Sequence, residues 1–225
     1  MKRYLNVPYK QGYHQIEVSS QDPLDQALVR EAANDLLGFE IVECAPKKVV
    51  LRNIATPDPT EFESILKRLF QVTLVLAESM GGASKFDEVK DLKRTANRLT
   101  ACAQRMLIAK DQRSRVWTLN LYVIVARLLR AADHLTEIAL KEEIPKSMND
   151  LIKDVRKTLE LLYESFYKPS ADARLQLRTR RLALTAKTEA VLNKKADYEE
   201  SKISRNIWGI VLCVKAIEKE MFRVE

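Results

Sequence analysis

The sequence predicts a mainly α-helical protein: two three-helix bundles in tandem, preceded by a small β-α-β-β module. Three observations predict it. Only 5 of the 225 residues are glycine, and so few permissive backbone positions mean long helices and few tight turns. Beyond residue 56, apolar residues recur at helical spacing in six long segments, separated by Gly, Pro or polar breaks. Those six segments read as a repeated three. LAES (76–79) returns as LYES (162–165), 86 positions later, and LRAADHL (129–135) corresponds to VKAIEKE (214–220), 85 positions later. Two correspondences at nearly one offset, in the same order, point to duplication.

The first 55 residues have a different texture. YHQIEV (13–18), FEIVE (39–43) and KVVLRNI (48–54) read as strands. Between the first two, PLDQALVREAANDLL (23–37) places apolar residues on one helix face, with Pro23 at its start and Gly38 at its end. This module, 1–55, is small for independent stability and leans on the helices beyond it. TPDPTEFE (56–63) then opens the helical part: Asp58, Pro59 and Glu61 supply an acceptor, a fixed φ and a carboxylate three residues after the cap. The expected helices span about 59–80, 84–111, 114–142, 147–167, 171–195 and 198–223. The third would be roughly 43 Å long at 1.5 Å per residue. Helices of this length with short connections pack as antiparallel neighbours. The first bundle covers 56–144, the second 145–225.

Hydrophobic residues are 46% and charged residues 31% of the chain, which is the composition of an ordinary folded protein. MKRYLNVPYK lacks the apolar core of a signal peptide. No uncharged run approaches 18 apolar residues, so no transmembrane segment is expected. Cys44, Cys102 and Cys213 are far apart and odd in number, in neither a zinc spacing nor a disulfide framework. Together these lead us to expect a cytoplasmic protein with reduced, mostly buried thiols. The net charge is +7. Segment 171–195 alone carries Arg174, Arg178, Arg180, Arg181, Lys187, Lys194 and Lys195 against Asp172 and Glu189, which is 7 − 2 = +5 of it.

Two stretches carry candidate function. In the third helix, Trp117, Leu121, Ile124, Leu128, Leu135 and Ile138 form the buried seam. Arg130, Asp133, Glu137 and Lys141 step by three or four along another face. They make either a solvated ion-pair ladder or part of a cation site. His134 points about 100° away from Asp133 around the helix, as a surface or interface residue. In the fifth helix, Leu175, Leu182 and Ala186 share one face while Leu177, Leu184 and Val191 lie nearly opposite. Such a helix either contacts neighbours on both sides or presents its second face to another subunit or a partner. Its basic flanks, with Arg174, Arg178, Arg181 and Lys187 as candidate contacts, suit an acidic protein surface, nucleic-acid phosphates or an anionic membrane. No nucleotide-binding glycine loop, nucleophile elbow or H-E-x-x-H motif occurs. With two histidines, general-base options are few. The expectation is a protein that acts by binding, not an enzyme.

The pattern L-x-R-x-x-D-H-x-x-x-I-A at 128–139, set in a pair of bundles, resembles the PhoU family of phosphate-uptake regulators. In that family an Asp on the third helix, with a polar partner four residues on, faces an acidic pair on the second helix and holds iron, zinc or similar metals. LLGFEIVECAPKKVVLRNIATPDPTEFESILKRLF (36–70) resembles the segment that precedes the bundle in archaeal PhoU-like proteins, where it often follows an AbrB-type DNA-binding hairpin. The resemblance covers roughly 13 to 225 and is strongest at 36–70 and 97–140.

It implies one divalent or iron/zinc-type metal site from Asp133, Glu137, Asn97 and Asp91. The second-helix signature matches A-N-R-L at 96–99, and in that register the acidic positions hold Lys93 and Asn97. A competing register uses Asp87 and Asp91. Lys93 is also placed to pair with Asp133 or Glu137, substituting an ammonium for a metal. In the second bundle the helix that should bear carboxylates is basic, and its partner keeps Glu218 with Phe222 in the second polar position. Arg and Lys have no lone pair for a metal, so the second site is expected to be absent.

By resemblance the function is control of phosphate uptake through protein partners, a phosphate transporter's ATPase or another regulator, in a homo-oligomer. One alternative is a transcription regulator of the archaeal AbrB/PhoU-like type. The N-terminus lacks the strand-turn-strand of that DNA-binding part, so nucleic acid is not favoured. A second alternative is a metal-free structural partner-binding bundle.

Overall fold

A computed structural model describes residues 1–55, 61–81, 86–109, 115–194 and 197–221. The chain is mainly helical, with one small antiparallel sheet. The N-terminal part runs α1 (Lys2–Lys10), β1 (Gln15–Ser19), α2 (Gln26–Ala33), β2 (Phe39–Ala45) and β3 (Lys48–Asn53). The strands lie in the order β1-β3-β2, with a bulge in β2 between Ile41 and Glu43. Helix α1 is an element the sequence pattern did not announce. It holds Pro8 inside a nine-residue helix, which withholds one backbone hydrogen bond. What fixes it is packing: Leu5 and Tyr9, one turn apart, are fully buried, and the Tyr9 hydroxyl donates to the Leu37 carbonyl at 3.0 Å. Helix α2 is shorter than expected. It starts where the Asp25 carboxylate accepts from the backbone N–H groups of Ala27 and Leu28. The chain then turns at Gly38, whose φ of +81° and close approach to the Ala55 carbonyl leave no space for a Cβ.

The helical part runs α3 (Phe62–Glu78), α4 (Phe86–Ala109), α5 (Arg115–Ala139), α6 (Asn149–Tyr167), α7 (Ala171–Leu192) and α8 (Tyr198–Met221), with a 3-10 turn at Lys146–Met148. All six helices lie where the apolar spacing predicts. Asp58 and Pro59, the expected cap of the first, fall outside the described residues. Helices α3, α4 and α5 pack on one another, as do α6, α7 and α8. The two sets meet most extensively along α5 and α8, and also along α3 and α6. One hydrophobic cluster runs through both sets, from Phe62 and Leu66 to Ile210 and Ile217. Arg156 on α6 completes the C-terminal end of α3, donating to the carbonyls of Ala77, at 2.9 Å, and Glu78 and Met80. Among the described residues, no helix is long and apolar enough to cross a membrane.

The N-terminal part has its own core, with Leu5, Tyr9, Val29, Phe39, Val49 and Leu51 at its centre, and Ala101 of α4 joins it. Two arginines of α4 tie it down. Arg94 Nε donates to Asp35 at 2.7 Å. Arg105 is almost wholly buried, donates to the carbonyls of Tyr9 and Tyr13 at 2.7 and 2.9 Å, and lies against the rings of Tyr9 and Phe39. Among the described residues the groups acting on its charge are Tyr9 and Cys102, not a carboxylate. Burial lowers its pKa, and the carbonyls at the C-terminal end of α1 supply the compensating negative potential.

Candidate functional site at the junction of α4, α5 and α8

Helix α5 buries Leu121, Ile124, Leu128, Leu135 and Ile138, as its periodicity requires. That leaves Arg130, Asp133 and Glu137 on the side that faces a cleft of about 700 Å³. The cleft is lined by Lys93 of α4, by Arg130, Asp133, His134, Thr136 and Glu137 of α5, and by Lys202, Arg205 and Asn206 of α8. The centre of the arrangement is Lys93. Its ammonium pairs with Asp133 and donates to Asn97 Oδ1 at 3.0 Å. Arg130 approaches the other Asp133 oxygen at 3.8 Å. Lys141, read as the last rung of a ladder on α5, pairs instead with Glu199 of α8, which raises the lysine pKa through the hydrogen bond to that carboxylate.

Of the four residues expected to hold a metal, the structure gathers two around one ammonium. Asp133 and Asn97 both bind Lys93. Glu137 lines the same cleft as Asp133. Asp91 does not: with Asn97 it lines a neighbouring cleft of about 480 Å³ against the N-terminal part, beside Lys2, Glu31, Asp35 and Arg94. Lys93 forms the wall between the two clefts. This donor set does not fit a metal ion. Four cationic side chains, Lys93, Arg130, Lys202 and Arg205, face the two carboxylates Asp133 and Glu137. A metal would have to displace the ammonium from the oxygens it needs.

His134 is an interface residue that the sequence could place but not explain. Asn206 Nδ2 donates to the Lys202 carbonyl at 3.2 Å, so its Oδ1 is the acceptor for His134 Nδ1 at 3.0 Å. The imidazole lies on the backbone of Gly209: a Cβ there would come within 2.2 Å of His134 Nε2. A glycine in mid-helix carries no pattern signal by itself, and its partner is 75 residues away in the sequence.

At the equivalent place in the second set, Glu218 of α8 accepts from Arg181 Nε of α7 at 2.7 Å, with both side chains largely buried. Phe222 lies outside the described residues. Arg180 and Lys187 both hold Asp154 of α6, at 2.8 and 2.6 Å. Of the basic residues expected to meet a partner, Arg181 is buried on Glu218, Lys187 stays exposed while pairing with Asp154, and Arg174 is half-buried. Arg178 remains on the exposed face. The two apolar faces of α7 also separate. Leu177 and Leu184 are buried, while Leu175 and Leu182 are 64% and 51% exposed. So α7 lies at the periphery and presents its second apolar stripe outward.

No protein-family model, curated protein or solved structure matches the chain.

Proposed function

We propose that this chain is a PhoU-like regulator of phosphate uptake that acts by binding protein partners, in which Lys93 stands where the family holds a metal. One observation carries the reading. The resemblance aligns Lys93 and Asn97 with the acidic pair of the family's second helix, and Asp133 with the Asp of its third. In the fold these residues meet, through Lys93. Asp91 and Asn97 both line the neighbouring cleft, and of the two it is Asn97 that accepts from Lys93. The mutual packing of α3–α5 and of α6–α8 supports two three-helix bundles in tandem.

A fixed ammonium satisfies Asp133 without a cofactor, so the regulator is metal-independent at this position. The partner is a component of the phosphate transporter, its ATPase by resemblance, which places the chain in the cytoplasm. The outward stripe of α7 is where we place contact with a second copy. Against the nucleic-acid alternative, Arg180, Arg181 and Lys187 each pair with a carboxylate, Asp154 or Glu218. The test is phosphate uptake by the native host with the chain deleted and then restored. Deletion should leave uptake high when external phosphate is abundant, and restoration should return the repression. Uptake that is unchanged by deletion at both low and high phosphate would remove this reading.

A further inference from the structure

Two contacts fix how α5 and α8 line up along the cleft. Lys141 of α5 pairs with Glu199 of α8. Seven residues back along α5, His134 Nδ1 meets Asn206 Oδ1, which is seven residues forward along α8, at 3.0 Å. The helices are therefore antiparallel here, and the two contacts sit about two turns apart. Glu137 of α5 and Lys202 of α8 fall between them, at one level on opposite walls, with Arg205 one turn beyond Lys202 on its own wall. Glu137 and Arg205 are exposed and Lys202 is half-buried. Among the described residues none of the three is in an ion pair, although opposite charges face each other across the cleft.

The charges divide unevenly. Lys93 and Arg130 share Asp133, which leaves Lys202 and Arg205 with Glu137 alone. Four cations from three helices against two carboxylates give the cleft a formal +2. A cleft with an excess of one sign concentrates the opposite ion, and a dianion brings this one to neutrality. Glu137 then decides which dianion. An ionised carboxylate only accepts hydrogen bonds, so a fully deprotonated oxyanion would set lone pairs against its lone pairs. Hydrogen phosphate carries one P–OH to donate and three oxygens to accept.

We propose that this cleft binds hydrogen phosphate, seated between Glu137 on one wall and Lys202 with Arg205 on the other. The ammonium and guanidinium donate to its charged oxygens, and its hydroxyl donates to the Glu137 carboxylate. Lys93 and Arg130 stay on Asp133 and act through their field. A phosphate ester fits less well, because its second proton leaves at about pH 6 and it then has nothing to give Glu137 at neutral pH. The proposal rests on one part of the reading above, that Lys93 and not a metal satisfies Asp133. It does not rest on the partner or on control of uptake.

The test is isothermal titration calorimetry on the full chain, treated with EDTA and held at neutral pH in a buffer free of phosphate and sulfate. Phosphate should bind saturably. Sulfate has the same charge and shape but no proton, and it should bind at least about tenfold more weakly, since a site that hydrogen-bonds a hydroxyl rejects the analogue lacking it. Glu137→Gln should weaken phosphate and strengthen sulfate until the preference is lost. Lys202→Gln with Arg205→Gln should weaken both ions at least about tenfold, with a melting temperature near that of the unchanged chain. The proposal is overturned if millimolar phosphate gives no saturable binding, or if sulfate binds as well as phosphate and Glu137→Gln changes neither, which means an adventitious ion only. Methyl phosphate binding as tightly as phosphate would overturn the assignment to the free ion. Binding that appears only when a divalent metal is added back would overturn this proposal together with the reading of Lys93. No binding with or without metal overturns this proposal alone and leaves the uptake test standing.

Discussion

Lys93 decides the chemistry of the cleft. With an ammonium at that position, Asp133 is neutralised and Asn97 Oδ1 is occupied. A carboxylate there would turn the same oxygens into a ligand set for a hard cation, because such ions ask for several oxygens and tolerate flexible geometry. Lys93→Glu should therefore gain binding of Mn²⁺ or a similar divalent ion, read by isothermal titration calorimetry, and Asp133→Asn in that background should remove it. The unchanged chain should show neither effect. A Lys93→Glu protein that takes up no metal, or an unchanged chain that takes up as much, would show that Lys93 is not what closes the site. The pairing of Lys93 with Asp133 is legible in the sequence, because the resemblance that aligns the two positions depends only on local spacing within each helix. That Asp91 lies outside the cleft is not legible, since one helix offers two acidic registers and only the position of α5 chooses between them.

At the scale of elements, the six helices follow from apolar spacing because each buries a continuous stripe and ends at a Gly, Pro or polar break. Helix α1 escapes that logic because Pro8 reads as a break and its buried pair, Leu5 and Tyr9, is too short a pattern to outweigh it. The α5–α8 junction escapes for a different reason: it depends on a missing side chain. Gly209 makes room for His134, and only the three-dimensional contact reveals the absence as a fit. Gly209→Ala should destabilise the chain by about 1–3 kcal/mol through overpacking against the imidazole, as measured by urea unfolding. In a His134→Ala background the clash is gone. There the same substitution should change sign, because alanine is favoured over glycine by up to about 1 kcal/mol in a helix interior. Equal destabilisation in both backgrounds would mean that His134 is not what the glycine accommodates.

At the scale of the whole molecule, the basic character of α7 turns out to be two things. Arg181 is buried against Glu218, while Arg180 and the exposed Lys187 pair with Asp154. The outward stripe of Leu175, Leu182 and Ala186 is left with Arg178 and Glu189 beside it, all exposed. Arg178 and Glu189 are eleven residues apart, which is about three turns, so they lie along one flank of the helix. When two copies of α7 pair antiparallel about a two-fold axis, each flank meets its own counterpart in reverse. Arg178 then faces Glu189 of the partner subunit, twice over. Parallel pairing would instead set each flank against the opposite flank of the partner, where Arg178 and Glu189 do not meet. Sedimentation equilibrium should therefore show a dimer that Leu182→Glu dissociates. Arg178→Glu should dissociate it too, by opposing two carboxylates, and the double exchange Arg178→Glu with Glu189→Arg should restore it. Restoration is the decisive arm, since unfolding of α7 could mimic dissociation but could not be repaired by swapping two exposed charges. A chain that stays monomeric at every concentration, or a double exchange that stays dissociated, would show that this stripe is not a self-association surface.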